Sequence, residues 1–188
     1  MVYLYHKIGM CLDAFDFVFI DIGICSDVIA VSENAYSFRE LDDLIRAGRA
    51  GDALAVRDLS DLGTGLDDIL RRLDLIMPGI VPLWIGALPA SYAGAFDMSA
   101  NRSVLGPLVY GLQAGMGGTM LKMPVGRPEV RYPDGWEDMY FDWKAGKLSA
   151  KEFLVKSGLK KATFYNRLSD YAPVYEMNLL YRSRYDIA

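Results

Sequence analysis

The apolar positions of this chain fall into short blocks separated by polar and glycine-rich breaks, and the spacing inside each block predicts its conformation. Val2–Tyr5 and Phe17–Asp21 are compact apolar or aromatic runs of strand type. Leu41, Leu44 and Ile45 recur at helical spacing and predict a helix over Phe38–Ala47, with Ser37 as its cap and "GRAG" as its end. Ala53–Arg57 reads as a strand. "SDLGTGLDDILRRLDLI" then reads as a loop and a helix with Leu66, Ile69, Leu70 and Leu73 on one face. Pro78–Gly79 stops that helix, and "IVPLWI", residues 80–85, reads as the next strand. Strand, helix, strand, helix, strand is the order expected of parallel pairing with helical crossovers, so the N-terminal part is expected to be α/β.

Residues 88–102 read as a loop of small and polar residues. A helical pattern from Asn101 to Lys122 follows, weakened by its glycines, and "PVGRPEVRYPDG" is a linker. Three helical patterns come next: Trp136–Ala145, Ser149–Ser157 and Lys161–Tyr171. Ser149 and Glu152 have the spacing of a capping box, and Gly158 suits a tight turn between the second and third helices. Three short helices with such a turn form a helix-turn-helix pattern. Trp136, Tyr140, Trp143, Phe153, Leu154, Leu159, Phe164 and Leu168 are its expected core.

The outward positions of the third helix carry Lys161, Tyr165 and Asn166, with Lys160 and Thr163 at its start. Asn can read adenine, Thr can meet a thymine methyl or a phosphate, and Lys neutralises phosphate. Arg127 in "GRP" lies on an extended segment suited to a narrow minor groove.

Charge changes the picture in one respect. The net charge of −4 argues against a surface that coats nucleic acid, but the cations are concentrated. Between Lys144 and Arg167 there are 7 basic residues and one acid, Glu152. Cys11 and Cys25 are too few for a disulfide scaffold, and His6 is the only histidine. No metal site, cofactor or histidine-based catalytic pair is therefore expected. Asp13 and Asp16 interrupt the N-terminal apolar run, against a signal peptide, so a cytoplasmic location is expected. Ser103–Leu121 is uncharged and long enough to span a bilayer, but Pro107, Gln113 and several glycines argue against a membrane span.

"GRP…AGKLSAKEFLVKSGLKKATFYNRLSDY" resembles the C-terminal DNA-binding domain of the serine recombinases, the resolvase and invertase group, with Leu154 where the family often has a small residue. The order of elements in "FRELDDLIRAGRAGDALAVRDLSDLGTGLDDILRRLDLI…GIVPLWI" is similar, more loosely, to the family's catalytic domain. The resemblance implies a resolvase-like parallel-sheet α/β domain over residues 1–100 and a dimerisation or connecting helix over 101–123. It further implies an extended arm over 124–133, a small all-α helix-turn-helix domain over 134–172 and a tail over 173–188.

The catalytic motifs depart from the family. Where the family has Tyr-x-Arg-x-Ser, with serine as nucleophile, this chain has "YHKIGM": Tyr5 stays, Lys7 replaces the arginine and Gly9 stands at the serine position. In the second motif Ser60 stands for an aspartate, while Asp61 and Thr64 stand for arginines; Arg39 matches a further arginine. Phosphoryl transfer needs positioned positive charge. The expectation is a dimeric DNA-binding regulatory or architectural factor that has lost its nucleophile, acting on double-stranded DNA as a homodimer or higher oligomer, or as the partner of an active recombinase. The alternatives are an active resolvase or invertase, and a protein-interaction or membrane-associated module.

Overall fold

The computed structural model describes residues 1–115 and 131–188. Four strands, β1 (Val2–Lys7), β2 (Val28–Glu33), β3 (Ala53–Val56) and β4 (Leu83–Ile85), pair in parallel in the order β2-β1-β3-β4. Parallel neighbours cannot be joined by hairpins, so helices carry the chain across. They are α1 (Asp16–Ile20), α2 (Arg39–Ala47) and α3 (Leu66–Ile76). Beyond the sheet come α4 (Met98–Gly115), α5 (Trp136–Lys144), α6 (Ala150–Ser157) and α7 (Lys161–Tyr185). The N-terminal unit is α/β, as its pattern predicts.

β3 and β4 are buried at every position, which explains their unbroken apolar sequences "ALAV" and "LWI". β1 alternates. Tyr5 joins Leu41, Leu54, Leu73 and Leu105 in the core beneath α2, α3 and α4. Val2 and Leu4 join Phe15, Val18 and Phe19 on the opposite face, together with Tyr181 and Ile187 from the C-terminal end of the chain. Asn101 fixes α4 against the sheet: it donates to the carbonyls of Leu83 and Ser91, both at 2.7 Å, and accepts from the Leu83 N–H at 3.3 Å.

Several local expectations are corrected. Phe17–Asp21 is not a strand: Phe17, Val18 and Phe19 lie buried in α1, and so short an apolar run has no period that separates strand from buried helix. β2 is an addition to the expected elements, because "VIAVSE" is an edge strand of mixed burial with two polar residues at its end. Ser37 does not cap α2. Its hydroxyl donates to Glu33, and the Glu33 carboxylate accepts the Arg39 and Glu40 backbone N–H groups at 2.6 and 3.1 Å. The cap thus comes from the end of β2. The loop expected over residues 88–102 contains a 3-10 turn, Pro89–Ser91, and the first turn of α4, where Asp97 accepts the Ser99 and Ala100 N–H groups.

The three C-terminal helical patterns are helices. Trp136, Tyr140, Phe153, Phe164, Leu168 and Tyr171 form their buried core, with Trp143, Leu154 and Leu159 partly buried around it. The Ser149–Glu152 capping box is present, and Gly158 adopts the left-handed conformation (φ 64°) that permits the turn into α7. The third helix does not end at Tyr171. It continues through Pro173 to Tyr185, so residues 173–188 are mostly helix. That second half of α7 docks on the sheet unit. Asn178 accepts the Leu12 N–H at 2.8 Å and donates to the Met10 carbonyl at 3.0 Å, and Tyr181 donates to Asp16 at 2.8 Å. Tyr185 stacks on Phe19 at 4.0 Å, and Ala188 exchanges backbone hydrogen bonds with Val28 and Ala30 along the outer edge of β2. Each aromatic or aliphatic side chain buried there contributes about 1.5–3 kcal/mol.

Candidate functional site

Two places hold the residues singled out from the sequence. The first is the C-terminal edge of the sheet, where open parallel sheets bring loops together at the point of strand-order reversal. Lys7, at the end of β1, donates from its ammonium to the Tyr5 hydroxyl and to the Ser37 carbonyl (2.6 Å), and lies 3.7 Å from the centre of the Phe38 ring. Tyr5 in turn donates to Glu33 at 2.8 Å. Burial pushes the Lys7 amine down to about 8 against the attraction of Glu33 and Asp61. Burial, reinforced by Glu33, pushes the Tyr5 phenol well up. Burial alone would raise Glu33 as well, but hydrogen bonds from Ser37, Tyr5 and the Glu40 backbone hold it below the ordinary carboxylate value.

A second ring of charge surrounds this core. Asp61 is 2% exposed, accepts the backbone N–H groups of Arg57 (3.0 Å) and Asp58 (3.2 Å), and pairs with the Arg57 guanidinium at 3.3 Å. Burial raises its carboxyl despite Arg57. Arg57 also faces Asp58 at 2.8 Å. Arg72, 3% exposed, donates to Asp42 (2.8 Å) and to the Leu62 carbonyl (2.7 Å), with Phe38 stacked 4.2 Å from its guanidinium. Ser60 donates to Asp58 and lies 3.5 Å from Arg57 Nη2; Thr64 donates to Asp68 at 2.9 Å. Arg39 is exposed and enters the network through its backbone N–H.

Gly9 is closed off. Its φ of +92° favours glycine, and a Cβ built there would lie 2.8 Å from Tyr132 Cε2. Tyr132 belongs to the segment leading into α5. On either side of it Arg131 stacks 3.4 Å from the Tyr36 ring, and Asp134 accepts from Asn34 at 2.9 Å. The segment therefore lies across the strand ends. Tyr5, Lys7 and Asp61 share one buried network, Ser60 and Thr64 are exposed beside it, and Gly9 sits beneath an aromatic ring. Lys7, Arg57 and Arg72 each have local acceptors, so their charge is already engaged. Among the described residues no group of three or more His, Cys, Asp or Glu could hold a metal ion.

The second place is the start of α7. Lys160 occupies the N-cap position; Lys161, Tyr165 and Asn166 are exposed and Thr163 is half-buried. Phe164 and Leu168 anchor the opposite side of the helix in the three-helix core. Neither Lys160 nor Lys161 forms an ion pair among the described residues. Lys151 and Lys156 of α6 are exposed as well, adding to the positive charge of this unit. Other members of the basic cluster are engaged: Lys144 pairs with Glu176 (3.2 Å), Lys147 with Asp142 (3.7 Å), and Arg167 stacks over Tyr132 (5.4 Å). Arg127 lies outside the described residues.

Sequence reasoning does not find Glu33, Arg72 or Tyr132. Glu33 ends a strand that the apolar pattern does not announce, Arg72 sits on a helix whose visible signal is its leucines, and Tyr132 lies in a linker. No helix among the described residues is long and apolar enough to cross a membrane. No protein-family model matches this sequence, and no curated protein matches it either.

Proposed function

We propose that this protein binds double-stranded DNA through the first two turns of α7 and that its α/β unit supports this binding without cutting the strand. The observation that carries the proposal is the exposure of Lys160, Lys161, Tyr165 and Asn166 on one helix whose other side is fixed by Phe164 and Leu168. A helix held this way can present side chains to the major groove, where Asn suits adenine and Lys neutralises phosphate. Lys151 and Lys156 extend the positive surface available to the phosphate backbone.

Support for the loss of cleavage comes from the strand ends. Gly9 offers no hydroxyl where the serine recombinases, which the sequence resembles, carry their nucleophile, and Tyr132 fills the space above it. Ser60 has Arg57 near it, but that guanidinium faces Asp58 and Asp61. A scissile phosphate entering there would meet carboxylates. The chain is thus read as a degenerate relative of the resolvases and invertases, acting as a dimeric DNA-binding regulatory or architectural factor, alone or beside an active recombinase.

Fluorescence anisotropy with duplexes selected from a random pool tests the binding. Lys160→Ala combined with Lys161→Ala is expected to weaken it and to reduce the salt slope by about one for each phosphate left without its lysine. Binding unchanged by that pair would remove the proposed surface. A suicide duplex that traps covalent adducts tests the chemistry, and no adduct is expected.

A further inference from the structure

His6 is the only histidine of the chain, and the fold buries it to 1% exposure. β1 sends it, with Val2 and Leu4, to the sheet face that α1 and the second half of α7 cover. Its Nδ1 lies 3.3 Å from the Lys7 carbonyl, its ring meets Phe15 edge-on at 6.5 Å, and Nε2 has no hydrogen-bond partner among the described residues. The charged groups bearing on it are Glu137 from the first turn of α5 and Arg182 from the last turns of α7. Glu137 is already engaged by the Tyr171 hydroxyl at 2.9 Å. The 3-10 turn Leu12–Phe15 contributes only the uncharged Phe15 ring to the imidazole, and its own strand contributes the Lys7 carbonyl. Asp16, the nearby carboxylate at the start of α1, is bonded to Tyr181 across the same seam.

An imidazolium is a double donor, and among the described residues no acceptor meets Nε2. Taking up a proton therefore requires the ring to reach water, and the side of the sheet that can open is the one covered by the end of α7. The interactions that would part are those of residues 178–188: Asn178 with Leu12 and Met10, Tyr181 with Asp16 and Phe19, Tyr185 with Phe19, Ile187 in the sheet-face core, and Ala188 with β2.

We infer that His6 is an acid-sensitive latch, whose protonation releases the second half of α7 from the sheet. The inference stands whether or not α7 binds DNA. Burial holds the His6 ring below its ordinary value of 6.5, with Arg182 acting in the same direction and Glu137 and the Lys7 carbonyl opposing. Above that ordinary value neither the closed nor the open form binds the proton, and the latch is shut. Below it the open form takes up a proton that the closed form lacks, so the balance moves toward opening by up to about tenfold per pH unit.

Amide hydrogen exchange followed by NMR, from about pH 7.5 to about pH 5 and corrected for intrinsic rates, reads the latch directly. The Leu12 amide reports on Asn178 and the Ala30 amide on Ala188. Their protection is expected to fall by up to about tenfold per pH unit below the ordinary histidine value, while Leu54 in the sheet centre stays protected. His6→Leu and His6→Gln are expected to keep Leu12 and Ala30 protected throughout. Unchanged protection in the native chain, or the same loss in either variant, overturns the latch. Should neither variant fold, the His6 Cε1–H signal decides: titration at or above the ordinary value with Leu12 still protected overturns it as well.

Discussion

At the ends of β1–β3, Lys7, Arg57 and Arg72 are turned toward Glu33, Asp58, Asp61 and Asp42 or toward backbone carbonyls, whereas at the start of α7 Lys160 and Lys161 are turned toward solvent. Both regions carry cations. In the first, Arg72 and Asp61 are buried charges that would be costly to leave unbalanced, so the pairing there holds the fold together. In the second, the charges cost the fold little and are available to an outside anion. What a cation faces decides its task, and that cannot be told from residue type.

The contrast can be broken by mutation, and the largest effect is expected at Glu33. Its carboxylate serves Tyr5, Ser37 and two backbone N–H groups of α2, so Glu33→Ala should lower unfolding stability by about 3–5 kcal/mol in urea titrations. A loss well below 1 kcal/mol would mean the strand-end cluster is not structural in this sense. Gly9→Ser should come next. The left-handed backbone alone costs about 1–2 kcal/mol, and the Tyr132 ring must also shift. Combining it with Tyr132→Ala should show coupling, because the clash is relieved while the backbone strain remains.

A smaller, pH-dependent difference sharpens the comparison. Glu33 is held below its ordinary value of 4.5, so its contribution is fully present above that value and is lost as pH falls through the lower folded one. Glu33→Gln should flatten that part of the stability–pH curve, and the Lys160→Ala, Lys161→Ala pair should leave it intact. The smallest change in stability is expected for that lysine pair, within about 0.5 kcal/mol of the native chain by thermal or urea unfolding.

Legibility in the sequence follows the range of the interactions. The leucine spacing of α3, the capping box at Ser149 and the glycine turn at 158 are set by residues a few positions apart, and each is readable. Tyr5 and Lys7 are readable as a pair only through the resemblance of "YHKIGM" to the Tyr-x-Arg-x-Ser motif. Glu33 is not, since its hydrogen-bond partners come from β1 and α2, and the strand bearing it has no clean alternation. The extension of α7 is hidden by Pro173, which reads as a helix stop, although packing on both sides of it carries the helix onward. Tyr132 over Gly9 joins residues more than a hundred positions apart, and nothing local announces it.

The length of α7 also bears on how the molecule assembles itself. One helix supplies Phe164 and Leu168 to one core and Tyr181 to another, so the two cores are expected to melt together. The bond between the Leu12 amide and Asn178 spans 166 residues, which makes closure of that sheet face slow to find. Until α7 arrives, that face is covered only in part, by α1 and its neighbours, and a nascent chain would pass through a sticky, half-sided stage that chaperones are suited to shield.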